Sequence, residues 1–200
     1  MSCDKIIFNN YDDSNTCLIT NNEFDGKYYK NWKNSKFNQH LDNLPTSIRD
    51  LTLGHSFNQR LDNLPFSIIN LTLGHNFNQP LDNLPSSIRD LTLGQCFNQP
   101  LDNLPYGIQN LTLDYYFNQN LNNLPSKIQN LTLGLSFNQS LDNLPSSLNK
   151  ITFKSYLQYT EFNWKVKKIP SNLKIVDISK IPNKSHLKNE FGKFNIEIIE

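Results

Sequence analysis

The sequence predicts a solenoid with turns of 20 residues, each giving one short strand to a parallel β-sheet and returning along an extended or 3-10 convex side. Three observations predict it. Phenylalanine recurs at Phe37, Phe57, Phe77, Phe97, Phe117 and Phe137, each time followed by Asn-Gln. Proline recurs at Pro45, Pro65, Pro85, Pro105, Pro125 and Pro145. Between these markers every unit reads F-N-Q-x-L-D/N-N-L-P-x-x-I/L-x-x-L/I-T-L/F, six times in one frame without a gap. A fixed period of this length marks stacked repeats, in which each unit lies on the one before.

Residues 1–36 do not hold the frame and are read as a divergent N-terminal cap. Asn31 and Lys33 stand where leucines would fall, while Ile6-Ile7-Phe8 and Cys17-Leu18-Ile19 are candidate capping strands. Residues 37–153 are the six in-frame repeats. Within one of them Leu51-Thr52-Leu53 alternates apolar and polar, the period of a half-buried strand. Ile48 extends this to I-x-x-L-x-L, the opening of a leucine-rich-repeat pattern, so the predicted class is a leucine-rich-repeat-like solenoid. Only one short strand fits in 20 residues, and neighbouring rungs of a parallel sheet lie about 4.8 Å apart. Phe57, Leu61 and Leu64 have helical spacing, but Pro80 and Pro100 fall inside that segment and Pro65 closes it. A long convex helix is thereby excluded in favour of a 3-10 turn or an extended return.

Ile48, Leu51, Leu53, Phe57, Leu61 and Leu64 form the candidate core of a unit. One unit cannot offset its own chain entropy, so stability belongs to the array. Residues 154–180 read as a degenerate seventh repeat, in which Ile169-Pro170 through Ile178 matches Leu144-Pro145 through Phe153 after a five-residue insertion, with Phe162-Asn163 as its marker. Residues 181–200 form a C-terminal cap, and the run Phe194-Asn195-Ile196-Glu197-Ile198-Ile199 is a candidate final strand.

Composition narrows the function. A net charge of +1 and a pI near 7.7 give no global field for nucleic acid or an acidic membrane. No apolar run serves as a signal peptide or approaches the roughly 20 residues of a membrane helix. Cys3, Cys17 and Cys96 are odd in number and irregular in spacing, which indicates neither a disulfide frame nor a zinc site. A reduced, cytoplasmic protein without metal or cofactor follows as the expectation. The chain also lacks a P-loop, a nucleophile elbow and a zinc-protease helix, so no enzyme is expected.

In a solenoid, residues 20 apart stand above one another, so chemistry is read by column. The invariant column Asn38, Asn58, Asn78, Asn98, Asn118 and Asn138 is expected to form an amide ladder. Thr52, Thr72, Thr92, Thr112, Thr132 and Thr152 are expected to make a hydroxyl ladder on the polar strand face, with ligand matching as the sharper and less supported reading. The acidic column Asp42, Asp62, Asp82, Asp102 and Asp142, interrupted by Asn122, is read as local turn chemistry. Calcium binding would require a glycine-rich nonapeptide that is missing. Columns that vary are the candidates for recognition. They comprise Arg49, Asp50, Ile69, Asn70, Arg89, Asp90, Gln109 and Asn110 at the strands. Just past the strands, on the expected concave rim, come His55, His75, Gln95, Tyr115, Tyr116 and Leu135. Aromatic and hydrogen-bonding groups of this kind favour an interface centre; ordinary solvent exposure is the bland alternative.

The F-N-Q…L-P phrase, as in Phe57-Asn58-Gln59 and Leu64-Pro65, resembles the FNIP repeat family, a leucine-rich-repeat-like group of social amoebae and giant viruses of amoebae. The resemblance covers residues 37–153 closely and 162–178 loosely. It implies a protein-binding role and no catalytic residues. In giant viruses such repeats often follow an F-box that would recruit a ubiquitin-ligase scaffold. Residues 1–36 are short for an F-box and lack its opening Leu-Pro, so that function is not carried over. The reading is a monomeric protein–protein interaction module, its partner a host protein if the source is viral. A ubiquitin-ligase substrate adaptor acting through the divergent N-terminus, and a structural or decoy array without a specific ligand, stand as alternatives.

Overall fold

The computed structural model describes residues 37–41, 44–134, 136–154 and 166–200, together with the backbone of 5–7 and 18–20. Five strands repeat the pattern Asp/Asn-Leu-Thr-Leu: β3 (Asp50–Leu53), β4 (Asn70–Leu73), β5 (Asp90–Leu93), β6 (Asn110–Leu113) and β7 (Asn130–Leu133). They are flanked by β1 (Lys5–Ile7) and β2 (Leu18–Thr20) at one end, and by β8 (Lys150–Lys154), β9 (Ile175–Lys180) and β10 (Glu197–Ile199) at the other. All lie in one sheet of order β10-β9-β8-β7-β6-β5-β4-β3-β1-β2. Its pairings are parallel except for β1 with β2. The expected capping segments around Ile6-Ile7 and Leu18-Ile19 thus supply strands, while Phe8 and Cys17 lie outside the described residues, as do Asn31, Lys33, Asp42, Leu135 and Phe162-Asn163.

Register follows the repeat: Leu51 pairs with Leu71 and Thr52 with Thr72. Between β8 and β9 the step lengthens, Lys150 pairing with Ile175, and a bulge follows Thr152. The two leucines of each tetrapeptide are buried and the two polar residues face outward. Ile48, Leu51, Leu53, Phe57, Leu61 and Leu64 are all buried, so one core runs the length of the stack. Its spine is the phenylalanine column. From Phe37 to Phe137 successive rings lie 6.0–6.3 Å apart and within 7° of parallel, the spacing of offset-stacked rings.

The return path is built from tight turns joined by extended chain. The N–H of Phe57 donates to the Gly54 carbonyl, and that of Ile48 to the Pro45 carbonyl. Among the described residues of the repeats there is no helix of either type, so the return is the extended one. Glycine opens the turn after the strand because adjacent turns nearly touch. A Cβ on Gly74 would lie 2.2 Å from the Gly54 carbonyl oxygen, and one on Gly94 would lie 2.1 Å from that of Gly74.

The C-terminal segment contains one helix that the sequence reading did not anticipate, α1 (Ser185–Phe191), which buries Leu187, Glu190 and Phe191. Their i, i+3, i+4 spacing is a helix signal, but one confined to seven residues. The Glu190 carboxylate accepts the Val166 N–H at 2.9 Å and the Lys193 ammonium at 2.8 Å, tying α1 to the chain that enters the last rung. These two donors hold its carboxyl below the usual range, against the opposing pull of burial.

Candidate functional site

The fixed columns are used up in stacking. In the Phe-Asn-Gln triplet the ring enters the core, and the next rung supplies two donors to the asparagine. Asn58 Oδ1 accepts the Asn78 N–H at 2.9 Å and Gln79 Nε2 at 3.2 Å, and this pattern repeats up to Asn138 and Gln139. The ladder is therefore amide to backbone and amide to glutamine, rather than a chain of asparagine amides.

The acidic column sits in turns as expected, but its carboxylates bond across rungs rather than within the turn. Asp62, Asp82 and Asp102 accept the amide of Asn83, Asn103 and Asn123 from the following rung, and Asn122 takes the same role towards Asn143. Only the acceptor oxygen matters there, which is why asparagine can interrupt the column. Arg60 also clasps Asp62, at 2.9 and 3.2 Å, and with Asn83 holds that carboxyl below its ordinary range. Among the described residues, no group of three or more His, Cys, Asp or Glu is placed to hold a metal ion.

The threonine hydroxyls make no ladder of their own. The outward face is instead joined two residues earlier. Asn70 donates to Asp50, Asn110 to Asp90, and Asn130 to Asn110 at 2.6 Å. Each rung donates to the one before. Asp90 has no proton to offer Asn70, whose buried Oδ1 is left without a partner.

The candidate recognition residues fall on three lines rather than in one pocket. Asp50, Asn70, Asp90 and Asn110 begin their strands on the outward face and are largely spent on one another. Past the strands, His55 and His75 stack face to face with ring centroids 4.6 Å apart, half-buried. Gln95 and Tyr115 continue that column, and the ring of Tyr116 (52% exposed) packs edge-on against Tyr115. Before the strands come Arg49, Ile69, Arg89 and Gln109. Their backbone groups are bonded rung to rung, as in Ile69 N–H to Arg49 carbonyl at 2.8 Å, which leaves the side chains as the readable part.

Sequence reasoning missed the column that follows proline. Phe66 and Tyr106 there are 80% and 64% exposed, whereas the Phe, Leu and Ile of the fixed columns are internal. The signal was present, since that column reads Thr46, Phe66, Ser86, Tyr106, Ser126 and Ser146. In the adjacent column Ser67, Ser87 and Ser147 donate to the carbonyls of Ile48, Ile68 and Ile128. Gly107 breaks that pattern, and Arg89 Nη1 takes over, donating to the Ile88 carbonyl at 3.1 Å and the Ser86 carbonyl at 2.9 Å. One rung on, the Lys127 ammonium lies 5.0 Å from the Tyr106 ring centroid. Beyond it opens a groove of about 620 Å³, lined among others by Gln109, Gln129, Asn149, Lys127 and Lys174.

The comparisons with known proteins agree with this geometry. The FNIP Repeat family model matches residues 60–96, 97–136 and 117–156. The chain carries FNIP repeats. Its array also resembles the crystal structure of CroV588, described as a circular leucine-rich-repeat protein, with a TM-score of 0.66 and 30% sequence identity over 83% of this chain. This chain spans 26% of the length of that protein. No curated protein matches the sequence. The FNIP phrase now has a physical content: phenylalanine spine, asparagine acceptor, glutamine donor and a proline turn that closes the rung.

Proposed function

We propose that this FNIP array is a non-enzymatic, monomeric protein-interaction module of the cytoplasm, binding its partner through side chains at the two rims of the outward sheet face. The supporting observation is the division between columns. Phe, Asn, Asp and Ser columns satisfy themselves from rung to rung, whereas in the His55, His75, Gln95 and Tyr115 column only the backbone carbonyls are taken by the next rung, leaving side chains that vary along the stack and include the stacked His55 and His75 rings. Repeat solenoids commonly use such surfaces for protein binding, and rigid aromatic groups of this kind concentrate binding energy. If the source is a giant virus, a host protein is the expected partner.

The test is comparative capture. Immobilised parent protein and a triple variant, His55→Ala with His75→Ala and Tyr115→Ala, are exposed to lysate of the native cell after matching circular dichroism spectra confirm the fold. The reading expects at least one protein to be enriched on the parent and lost from the variant. Identical capture by both would reject this rim as the interface.

A further inference from the structure

The groove at the opposite rim differs from the fixed amide columns. In those columns the amides are engaged: Asn58 with Asn78 and Gln79, Asp62 with Asn83, Asp90 with Asn110. Gln109, Gln129 and Asn149 stand on three successive rungs, and their side chains make no hydrogen bond with any described residue. Their backbone groups are consumed, Gln129 N–H by the Gln109 carbonyl and Asn149 N–H by the Gln129 carbonyl, both at 2.8 Å. A ligand here therefore meets free amide donors and acceptors and no open sheet edge.

The charge around these amides has one sign. Lys127 and Lys174 line the groove and no acidic residue does. Outside the lining, Asp177 is held by Lys150 at 2.9 Å, and the exposed Glu197 follows on the next strand, its N–H on the Lys174 carbonyl at 2.8 Å. Tyr106 stands at the lip in the column that continues as Ser126, with Lys127 above its ring. Of the acids of the repeats, Asp62, Asp82, Asp102 and Asp142 stand at another corner, and Asp50 and Asp90 on the strands already accept from Asn70 and Asn110.

We infer that this groove binds an extended acidic peptide segment. This goes one step beyond the interaction role proposed above and rests on it. Four rungs, from Gln109 to Lys174, span about 14 Å at the rung spacing of a parallel sheet, room for about four extended residues. Lys127 and Lys174 are two rungs apart, roughly 10 Å, which matches carboxylates three residues apart on one face of a polyproline-II-like extended chain at about 3.1 Å per residue. The lysines take the carboxylates, the free amides take the peptide groups between them, and Tyr106 offers its ring to an apolar flank.

The experiment is fluorescence anisotropy with a dye-labelled serine peptide carrying two glutamates three residues apart, titrated with the full chain. Saturable binding is expected, at least tenfold weaker when glutamine replaces each glutamate. The pair Lys127→Ala with Lys174→Ala should weaken it at least fivefold, while the pair Lys168→Ala with Lys180→Ala, which removes the same charge away from the groove, should bind as the parent does. Absence of saturation up to about 1 mM, equal binding of the glutamine peptide, or no effect of the lysine pair would overturn the inference. Displacement by oligothymidine at lower concentration than by unlabelled peptide would overturn it too, because the groove would then be reading a phosphate backbone. A null titration combined with partner capture at the His55 rim would sink this groove and leave the interaction role standing.

Discussion

At the scale of the residue, each position in the repeat is explained by what the next rung asks of it. From the following rung, Asn58 takes two donors on its amide oxygen and Asp82 takes one on its carboxylate, and at the second position an amide serves as well, as Asn122 shows. The outward-face column shows what happens when this supply fails. Asp50, Asn70, Asp90, Asn110 and Asn130 pass donors backwards along the stack, and the single mismatch leaves the Asn70 carbonyl buried and unpaired beside a carboxylate. An unmet buried acceptor costs about 1–3 kcal/mol. Asp90→Asn restores the donor and keeps the acceptor that Asn110 uses, so it should stabilise the protein by about 1 kcal/mol in urea denaturation; a lower midpoint would contradict the donor order. The sequence made these columns visible, because a stack repeats its demands every 20 residues. It did not reveal that the donor arrives from position 20 for the backbone and 21 for glutamine, which depends on how the rungs sit over one another.

At the scale of the element, the ends obey different physics from the middle. Strands β3 to β7 share one four-residue pattern and one register, and their existence was legible in the alternation of Leu51-Thr52-Leu53. Helix α1 was not, because a seven-residue element occurring once leaves no period to detect. Phe66 and Tyr106 were missed for a related reason: which way a turn residue points is set by the turn, not by hydrophobic spacing. The last rungs are held by carboxylates. Burial raises the Asp177 carboxyl, but Lys150 and Ser179 outweigh it, and Lys193 with the Val166 N–H lowers that of Glu190. Since both groups titrate lower in the folded protein than in the unfolded chain, the unfolded state takes up protons first as the solution is acidified. Their contribution is thus complete above the unfolded carboxyl range, about pH 4–5, and disappears as pH falls through the lower folded values. Urea midpoints should be flat from pH 7 to about pH 5 and fall below it. Glu190→Gln should lower the midpoint at pH 7 and flatten the acid decline, whereas an unchanged acid slope would show that the ion pair does not secure the helix.

At the scale of the whole molecule, the account assigns stacking and recognition to separate columns. The six-fold frame, the parallel sheet and the continuous core follow from the fixed columns, and these were open to reading because comparison between units replaces comparison between proteins. The candidate site was legible only in outline. Variation marked Arg89, Gln109, His55, His75 and Tyr115, but only the folded array shows that the Asp50 and Asn70 column is spent on itself while Gln109, Gln129 and Asn149 stay free. The division between columns is tested most directly by melting two variants matched in chemistry, each with three amides changed to alanine. One carries Asn78→Ala, Asn98→Ala and Asn118→Ala; the other carries Gln109→Ala, Gln129→Ala and Asn149→Ala. Each fixed asparagine accepts two hydrogen bonds, worth about 1 kcal/mol apiece. The first variant should therefore lose at least about 3 kcal/mol, a drop of roughly 6 °C or more in Tm for a chain of this size. The second should melt within about 2 °C of the parent, as surface changes do. Equal losses in the two, or a larger loss in the second, would contradict the division of labour on which the functional reading stands.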